Sequence, residues 1–148
     1  MIDIGNSSGS RTLLVGAGVL HRRGRVLVAR RATGRHLAGF WEFPGGKLEP
    51  GESPQACLER EFIEEFGVLV KAGAFFMRSV HAEPELSVEL LVYRLRHVRG
   101  RFKLLAHDAL HWCPRHQLLN LQFAPADIPV AEVLIGRRSI LQAAGRRR

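Results

Sequence analysis

Three glutamates, Glu61, Glu64 and Glu65, lie close together near the middle of the chain. In an α-helix, residues spaced i, i+3 and i+4 fall within an arc of roughly 100° on one side. Like charges on one face repel each other, and a divalent cation removes that repulsion. Carboxylate oxygens suit Mg²⁺, which keeps several waters and bridges to substrate phosphates. A site of this kind polarises a phosphoryl oxygen and orients a water for attack.

The glutamates need a helix that fixes which way they face. Ser53 can cap such a helix, Pro54 suits its first position and Gly67 suits its end, so we expect a helix over residues 54–66. Beside the glutamates runs an apolar stripe that anchors the helix, formed by Leu58, Phe62 and Phe66. The alternative is a solvated helix face, steadied by an ion pair between Arg60 and Glu64.

The residues around this helix form a longer motif. From Gly46 the chain reads five residues, Glu52, seven residues and then REFIEEFGV over residues 60–68. This run matches the Nudix box GX5EX7REUXEEXGU, where U is apolar, at every defined position. The preceding WEFPGGK, residues 41–47, resembles the MutT-type branch of the Nudix hydrolases, which hydrolyse damaged nucleoside triphosphates such as 8-oxo-dGTP to monophosphate and pyrophosphate. The resemblance extends over residues 13–134.

The resemblance implies a fold and a metal centre. The implied fold is α/β (α+β), the Nudix α/β/α sandwich with a mixed β-sheet between helices. The implied metal is Mg²⁺, with Mn²⁺ as the alternative, held by the carbonyl of Gly45 and by Glu61, Glu64 and Glu65. One of these carboxylates, free of the metal, takes the proton of the attacking water. Arg60 and Glu52 complete the catalytic motif as a pair that holds the loop to the helix.

The resemblance also implies a nucleoside triphosphate substrate. The implied substrate-binding residues are Arg31, His36, Glu42, Phe43, Pro44, Gly45, Gly46, Lys47 and Asp127. Asp127 stands where MutT presents an asparagine to the oxidised guanine. An ionised aspartate offers only acceptors, whereas an asparagine amide offers a donor and an acceptor. The base is therefore open between an oxidised purine and a pyrimidine, and Asp127 could instead cap the last helix.

One position departs from the pattern of MutT relatives. Ala106 stands where relatives often carry a glutamate that helps the metal or the attacking water. The adjacent His107 and Asp108 are candidates to replace it. Glu83 and Glu85, in a turn between two strands, are further candidates, with solvated turn glutamates as the alternative.

Hydrophobic patterning and turn residues predict the remaining elements. We expect a hairpin of residues 13–20 and 26–29, then a long shaped loop over 33–51. Strands follow at 74–80 and 86–95, a short strand holds Leu110 and Trp112, a helical turn covers 114–119, and a last helix covers 129–144. The domain organisation expected is a flexible leader at 1–11, a single domain at 12–144 and a basic tail at 145–148.

Composition limits the class of protein. The chain has 148 residues, of which 46% are hydrophobic and 24% charged, which is ordinary for a globular domain and leaves no apolar run long enough for a membrane span. Two cysteines without CxxC spacing indicate a reducing, cytoplasmic setting. The net charge of +8 suits a polyphosphate substrate, and a nucleic-acid partner is not expected. Oligomeric state is not determined.

Other functions compete with the leading hypothesis. Within the enzymes, the competitors are a (d)CTP-type or modified-pyrimidine pyrophosphatase and an ADP-sugar hydrolase. A different class is a Nudix-like module that binds a nucleotide or damaged DNA without cutting it, although retained carboxylates argue against it. A third is an interaction protein with an exposed patch at Phe75, Phe76 and Met77, which we instead expect to be partly buried strand residues.

Overall fold

The computed structural model describes residues 3–5 and 11–140, with side chains described for 11–140. In these ranges the strands are β1 (Asp3–Gly5), β2 (Arg11–Arg22), β3 (Arg25–Arg31), β4 (Trp41–Glu42), β5 (Gly45–Lys47), β6 (Leu69–His81), β7 (Leu86–Arg99) and β8 (His107–Pro114). The helices are α1 (Pro54–Phe66) and α2 (Ile128–Leu134), with 3₁₀ helices at Arg115–Asn120 and Pro125–Asp127.

Strand β2 organises the sheet. It runs parallel to β7 from the pair Arg11↔Leu86 to the pair Leu20↔Leu95. Its other side is antiparallel to β1, β5 and β3 in turn. The main order is β4-β3-β2-β7-β6, and β8 pairs with β3. Because one parallel pair lies among antiparallel ones, the sheet is mixed, as the sequence predicted.

Apolar side chains on the two sheet faces form separate cores. On one face, Leu58, Phe62 and Phe66 of α1 are buried with residues of β2, β3 and β6. On the other, Val130 and Leu134 of α2 are buried with residues of β2, β3 and β7. A sheet that buries both faces needs a layer on each side. The expected α/β/α sandwich is therefore confirmed.

The hairpin, α1 and the 3₁₀ turn after β8 confirm the predicted elements, while three others differ. The last helix ends at Leu134 and not at residue 144, because Gly136 adopts a φ of +80° that stops it; residues 141–144 lie outside the described ranges. The loop at 33–51 was predicted to be irregular, yet it contains β4 and β5, whose pairing partners lie far away in the sequence. Strand β6 begins at Leu69, earlier than expected, and pairs with the end of β7.

Two further expectations concern the surface and the N-terminus. In β6, Met77 is buried and Phe76 half-buried, whereas Phe75 is exposed and packs edge-on against Tyr93. Strand β1 lies within the segment expected to be a flexible leader, and the domain boundaries stay a prediction. No helix in the described part of the chain is long and apolar enough to cross a membrane.

Candidate active site

Local capping and a buried stripe fix the position of α1. The Ser53 hydroxyl accepts a hydrogen bond from the N–H of Ala56 at 3.1 Å. At the other end, Gly67 has a φ of +67° and donates its N–H to the carbonyl of Ile63. Because Phe62 and Phe66 are fully buried, the rotation of the helix is set and its glutamates face away from the core.

Arg60 holds the loop before α1 to the helix. Its guanidinium contacts both carboxylate oxygens of Glu52, at 2.7 and 2.8 Å, so the expected ion pair is present and bidentate. The hydrogen bond from Arg60 holds the pKa of Glu52 at about 2, well below its usual value. Arg60 also donates to Glu61 at 2.9 Å and to Glu64 at 3.2 Å. One arginine therefore orients carboxylates on both the loop and the helix.

A cleft of about 1150 Å³ opens between α1, the start of β2 and the segment before α2. It brings together most of the residues that the sequence assigned to substrate or metal. Those lining it are Arg31, His36, Glu42, Phe43, Gly45, Gly46, Lys47, Glu61, Glu65 and Asp127. Residues from four separate parts of the chain thus meet at one site.

Four predicted residues do not line the cleft. Pro44 is buried, and its carbonyl accepts a hydrogen bond from the N–H of Gly18 at 2.8 Å. Glu52 and Arg60 bind each other outside the cleft, which is consistent with a structural role. Glu64 is 57% exposed and bonded to Arg60, as the solvated-face alternative expected. The structure thus separates Glu64 from Glu61 and Glu65.

Three carboxylates crowd one wall of the cleft. Burial, followed by the neighbouring charges of Glu42 and Glu61, raises the pKa of Glu65 to about 10. Its Oε2 atom is buried and makes no hydrogen bond. A buried oxygen without a partner is costly, and a like-charged cluster adds to that cost. Both costs fall when a cation binds.

Two glycines lie beside this cluster, and a side chain is excluded at each of them for a different physical reason. A Cβ on Gly46 would come within 2.4 Å of the Glu61 carboxyl carbon, so the glycine leaves room for that carboxylate. A Cβ on Gly45 would come within 1.9 Å of the carbonyl oxygen of Gly16, so this glycine permits close pairing of β5 with β2. The small size of Gly45 therefore serves the pairing of the sheet, and its predicted role as a metal ligand rests on its carbonyl.

The carbonyl of Gly45 is nevertheless available to a ligand. In the β2–β5 ladder, hydrogen bonds join Gly18 to Pro44 and Leu48 to Leu14. Antiparallel pairs alternate between bonded and non-bonded positions, so the intervening pair Ala17↔Gly45 is non-bonded. The Gly45 carbonyl therefore points away from β2. Gly45 itself lines the cleft.

These groups fit a divalent cation as a partial ligand set. Among residues 11–140, no three His, Cys, Asp or Glu side chains converge as a complete set of metal ligands. Mg²⁺ commonly takes one or two carboxylates and fills its remaining positions with water and substrate phosphate. Glu61, Glu65 and the Gly45 carbonyl supply oxygen atoms of that kind, and the unpaired Glu65 Oε2 gains a partner.

Arg31 and Glu42 form a second ion pair on the cleft wall. The Arg31 Nη1 donates to Glu42 Oε1 at 2.8 Å, and its Nε donates to the carbonyl of His36 at 2.5 Å. Because both ends of this guanidinium are engaged, Arg31 fixes the loop over the cleft and orients Glu42. His36 is exposed and Lys47 is exposed at the rim.

The far wall of the cleft carries Asp127. Its side chain is 6% exposed, and its Oδ1 accepts a hydrogen bond from the N–H of Phe43 at 2.9 Å. It stands at the start of α2 without a side-chain capping bond, so the helix-capping role is wrong. Burial, and then the charge of Glu42, raises the pKa of Asp127 well above its usual value. The ring of Phe43 stacks on Phe123 at 5.1 Å.

His107 and Asp108, the two candidates to replace the glutamate that MutT relatives often carry at position 106, point in different directions. Ala106 and His107 line the cleft, whereas Asp108 points outward and pairs with Arg30 at 2.6 Å. The His107 ring is almost fully buried and stacks on Phe66, with Nε2 at 3.8 Å from Glu42. Its Nδ1 is buried without a hydrogen-bond partner. His107 is therefore placed to support Glu42.

The β6–β7 turn forms the rim of the cleft opposite β5. Glu83 and Glu85 both lie on this rim, and Glu83 contacts His81 at 2.9 Å. Sequence reasoning missed His81, which sits at a strand end that carries no recognisable signal. It also missed Arg35, whose charge acts on Glu65. The cluster of basic residues between 30 and 36 was the available signal for Arg35.

Comparison with known proteins shows what this arrangement belongs to. The NUDIX domain family model matches residues 11–134, which covers the cleft, α1 and both sheet faces. The chain belongs to the Nudix hydrolase family. It is therefore a hydrolase of phosphoric anhydride bonds, and members of this family need a divalent cation.

Individual Nudix relatives cover most of the chain. A CTP pyrophosphohydrolase of Escherichia coli is 34% identical over 123 residues, which are 83% of this chain and 91% of the relative. An 8-oxo-dGTP diphosphatase of Proteus vulgaris is 38% identical over 81 residues, which are 54% of this chain and 72% of the relative. The solution structure of the E. coli ORF135 protein has a TM-score of 0.78 at 31% identity and covers 97% of this chain and 100% of that one. The chain is thus similar to relatives that are named for two different substrates, CTP and 8-oxo-dGTP.

Proposed function

We propose that this Nudix hydrolase is a Mg²⁺-dependent nucleoside triphosphate pyrophosphohydrolase of the MutT type. It hydrolyses oxidised deoxynucleoside triphosphates such as 8-oxo-dGTP to the monophosphate and pyrophosphate. The observation that carries the proposal is that one cleft holds carboxylates of α1 on one wall and buried Asp127 on the other. The first group suits a metal and phosphates, and the second suits a base.

At the phosphate end, Glu61, Glu65 and the Gly45 carbonyl would hold Mg²⁺. When bound, the cation supplies Lewis-acid polarisation of a phosphoryl oxygen and a fixed water. Glu64 would complete the proposed set on release from Arg60, and its side chain is 57% exposed. A carboxylate that is free of the metal takes the water's proton. Lys47 and Arg35 balance phosphate charge at the rim.

At the base end, Asp127 carries the specificity. A neutral carboxyl group offers an O–H donor and a carbonyl acceptor, as an asparagine amide does. The Phe43 N–H fixes Oδ1 as the carbonyl oxygen, which keeps a second lone pair for a base, and leaves the Oδ2 hydroxyl as the donor. Guanine presents two acceptors, O6 and N7, whereas oxidation at C8 places a proton on N7. A neutral Asp127 therefore pairs with the O6 and N7–H edge of 8-oxoguanine better than with the same edge of guanine.

A second candidate substrate is (d)CTP or a modified pyrimidine triphosphate. The E. coli relative matched over 91% of its length is named for CTP. Cytosine presents its N4 amino donor beside the N3 acceptor, which a neutral carboxyl group also matches. We also propose a cytoplasmic location, because nucleotide pools are found there and because both cysteines are buried free thiols suited to a reducing compartment.

The deciding experiment is a product-resolved hydrolysis panel with and without Mg²⁺. The substrates are the normal dNTPs, CTP, 8-oxo-dGTP, 5-methyl-dCTP and ADP-ribose. We expect the highest kcat/KM for 8-oxo-dGTP, well above that for dGTP. A preference for CTP or 5-methyl-dCTP favours the second candidate. If none of the substrates is cleaved in the presence of Mg²⁺, the proposed enzymatic function is wrong and a nucleotide-binding module remains as the alternative.

Variants of α1 test the metal assignment. We expect Glu64→Gln and Glu65→Gln to lower kcat by about 10²–10⁴-fold in protein that stays folded. Glu59→Gln is the matched control, because Glu59 lies on the same helix and does not line the cleft. Wild-type rates in both Glu64→Gln and Glu65→Gln would overturn the assignment of the carboxylates.

A further inference from the structure

A second, smaller cavity of about 170 Å³ lies at the other end of β2. It is lined by His21, Phe76, Arg94, Arg115, Val133 and Leu134. Gly16 lines the active-site cleft, and His21 is five residues further along the same strand. At about 3.3 Å per residue, the two sites are roughly 17 Å apart. The small cavity is therefore separate from the catalytic cleft.

Arg115 is held rigidly at this cavity. Its Nε and Nη2 atoms donate to the carbonyl of Leu134, at 3.1 and 2.6 Å. That carbonyl is at the C-terminal end of α2, where a cation is favoured. These two bonds leave Nη1 without a hydrogen-bond partner in the described residues. The guanidinium thus has a fixed position and an unused donor group.

Arg94 is the second fixed cation. Its guanidinium lies over the ring of Phe76, 4.5 Å from the ring centre. Within residues 11–140, no carboxylate forms an ion pair with Arg94 or Arg115. Arg31 and Arg60, in contrast, each bind a carboxylate. The two cavity arginines therefore have no counter-anion among residues 11–140.

The pKa of His21 reflects the positive electrostatic potential of the cavity. Partial burial lowers its pKa, and the charges of Arg94 and Arg115 lower it further. Two fixed positive charges therefore converge on one imidazole. An anion in the cavity would offset that potential, since opposite charges favour each other at short range.

We infer that His21, Arg94 and Arg115 form a second binding site, which takes a phosphate group. Guanidinium groups match phosphate oxygens in charge and geometry, and a fixed guanidinium loses little entropy on binding. The cavity is small beside the roughly 300–1000 Å³ of typical ligand pockets, so it suits one phosphate group and not a whole nucleotide. The phosphate comes either free in solution or as the end of a nucleoside monophosphate whose base stays outside.

NMR titration of the full-length, metal-free protein tests the site. Inorganic phosphate and dCMP are added in separate arms, and signals of His21 and Val133 are followed beside those of Gly46 in the catalytic cleft. We expect saturable shifts at His21 and Val133, with a rise in the His21 pKa on binding. Equal affinities identify the free anion as the ligand, and tighter binding of dCMP identifies a nucleotide phosphate.

Matched charge variants separate a built site from general positive charge. Arg94→Gln should weaken phosphate binding by about tenfold or more, because it removes a charged donor. Arg96→Gln is the control, since Arg96 lies two residues along β7 and does not line the cavity. Arg94→Lys keeps the positive charge and removes the planar guanidinium. It therefore tests whether phosphate binding needs the paired N–H donors of arginine or only its charge. Equal weakening by Arg94→Gln and Arg96→Gln, or shifts confined to Gly46, would overturn the inference.

Discussion

The carboxyl Oδ1 of Asp127 accepts a hydrogen bond from the backbone N–H of Phe43 at 2.9 Å, across 84 positions of sequence. This bond joins the segment before α2 to the loop that leads into the Nudix box. Asp127 also lines the cleft, so one buried carboxyl group joins two distant segments at the site where we propose that the base binds.

Asp127→Asn should make the protein more stable at pH 7. Burial raises the folded-state pKa of Asp127, so ionising this carboxyl group is less favourable in the fold than in the unfolded chain. Wild type therefore loses stability as pH rises above the unfolded pKa of 3.8, whereas the amide does not titrate. Thermal unfolding of wild type and Asp127→Asn between pH 3 and 8 measures this effect. The difference between their unfolding temperatures should become smaller as the pH falls.

Asp127→Ala is the control for the hydrogen bond. It leaves the buried Phe43 N–H without an acceptor, which costs about 1–3 kcal/mol relative to Asp127→Asn. If wild type is the most stable of the three at pH 7, the carboxyl group is ionised in the fold and the proposed neutral donor is wrong.

Glu52→Gln should lower stability at pH 7 by about 1–2 kcal/mol, with solvent screening allowed for. The folded-state pKa of Glu52 is about 2, against an unfolded value of 4.5, because Arg60 donates to its carboxylate. This stabilisation is present above pH 4.5 and is lost as pH falls toward 2. Denaturant unfolding across that range should show the two proteins converging. Glu49→Gln, whose carboxylate is exposed and 3.8 Å from Arg60, should change little at any pH.

Glu65→Gln should raise the stability of the metal-free protein while removing its response to Mg²⁺. The folded-state pKa of Glu65 is about 10, so the wild-type fold loses stability as pH rises from 4.5 toward 10. Glutamine does not titrate, and its pH profile should be flatter. Differential scanning calorimetry with EDTA or Mg²⁺ checks both statements. Equal stabilisation of both proteins by Mg²⁺ would place the cation elsewhere.

Gly45→Ala and Gly46→Ala should fail for different reasons. The alanine methyl at 45 meets the backbone oxygen of Gly16, so we expect a loss of about 3 kcal/mol or more in folding stability. At 46 the methyl meets the end of the Glu61 side chain, which can move. Gly46→Ala should therefore stay folded and lose most of its Mg²⁺-dependent turnover. Unfolding midpoints and kcat together separate the two, and normal turnover in Gly46→Ala would show that the Glu61 position is not needed.

Much of the candidate site followed from residues close together in the sequence. Ser53 and Gly67 define the ends of α1, and the spacing of Glu61, Glu64 and Glu65 follows from the helical period. The Arg60–Glu52 pair spans eight positions and is also within reach of local reasoning. The end of α2 at Leu134 did not follow, because the apolar spacing continues to Leu141, whereas Gly136 takes a φ of +80° that ends the helix.

The sequence alone determined the family and the helix that carries its glutamates, since both depend on short-range spacing, and it predicted a metal site on that helix. The tertiary structure decided which carboxylates share a wall and in which direction their pKa values shift. Glu42 comes near Glu65, and Asp127 near Phe43, only because segments far apart in the sequence pack together, and burial raises the pKa values of Glu65 and Asp127. Protonation depends on that burial and on neighbouring charges, which no spacing along the chain records.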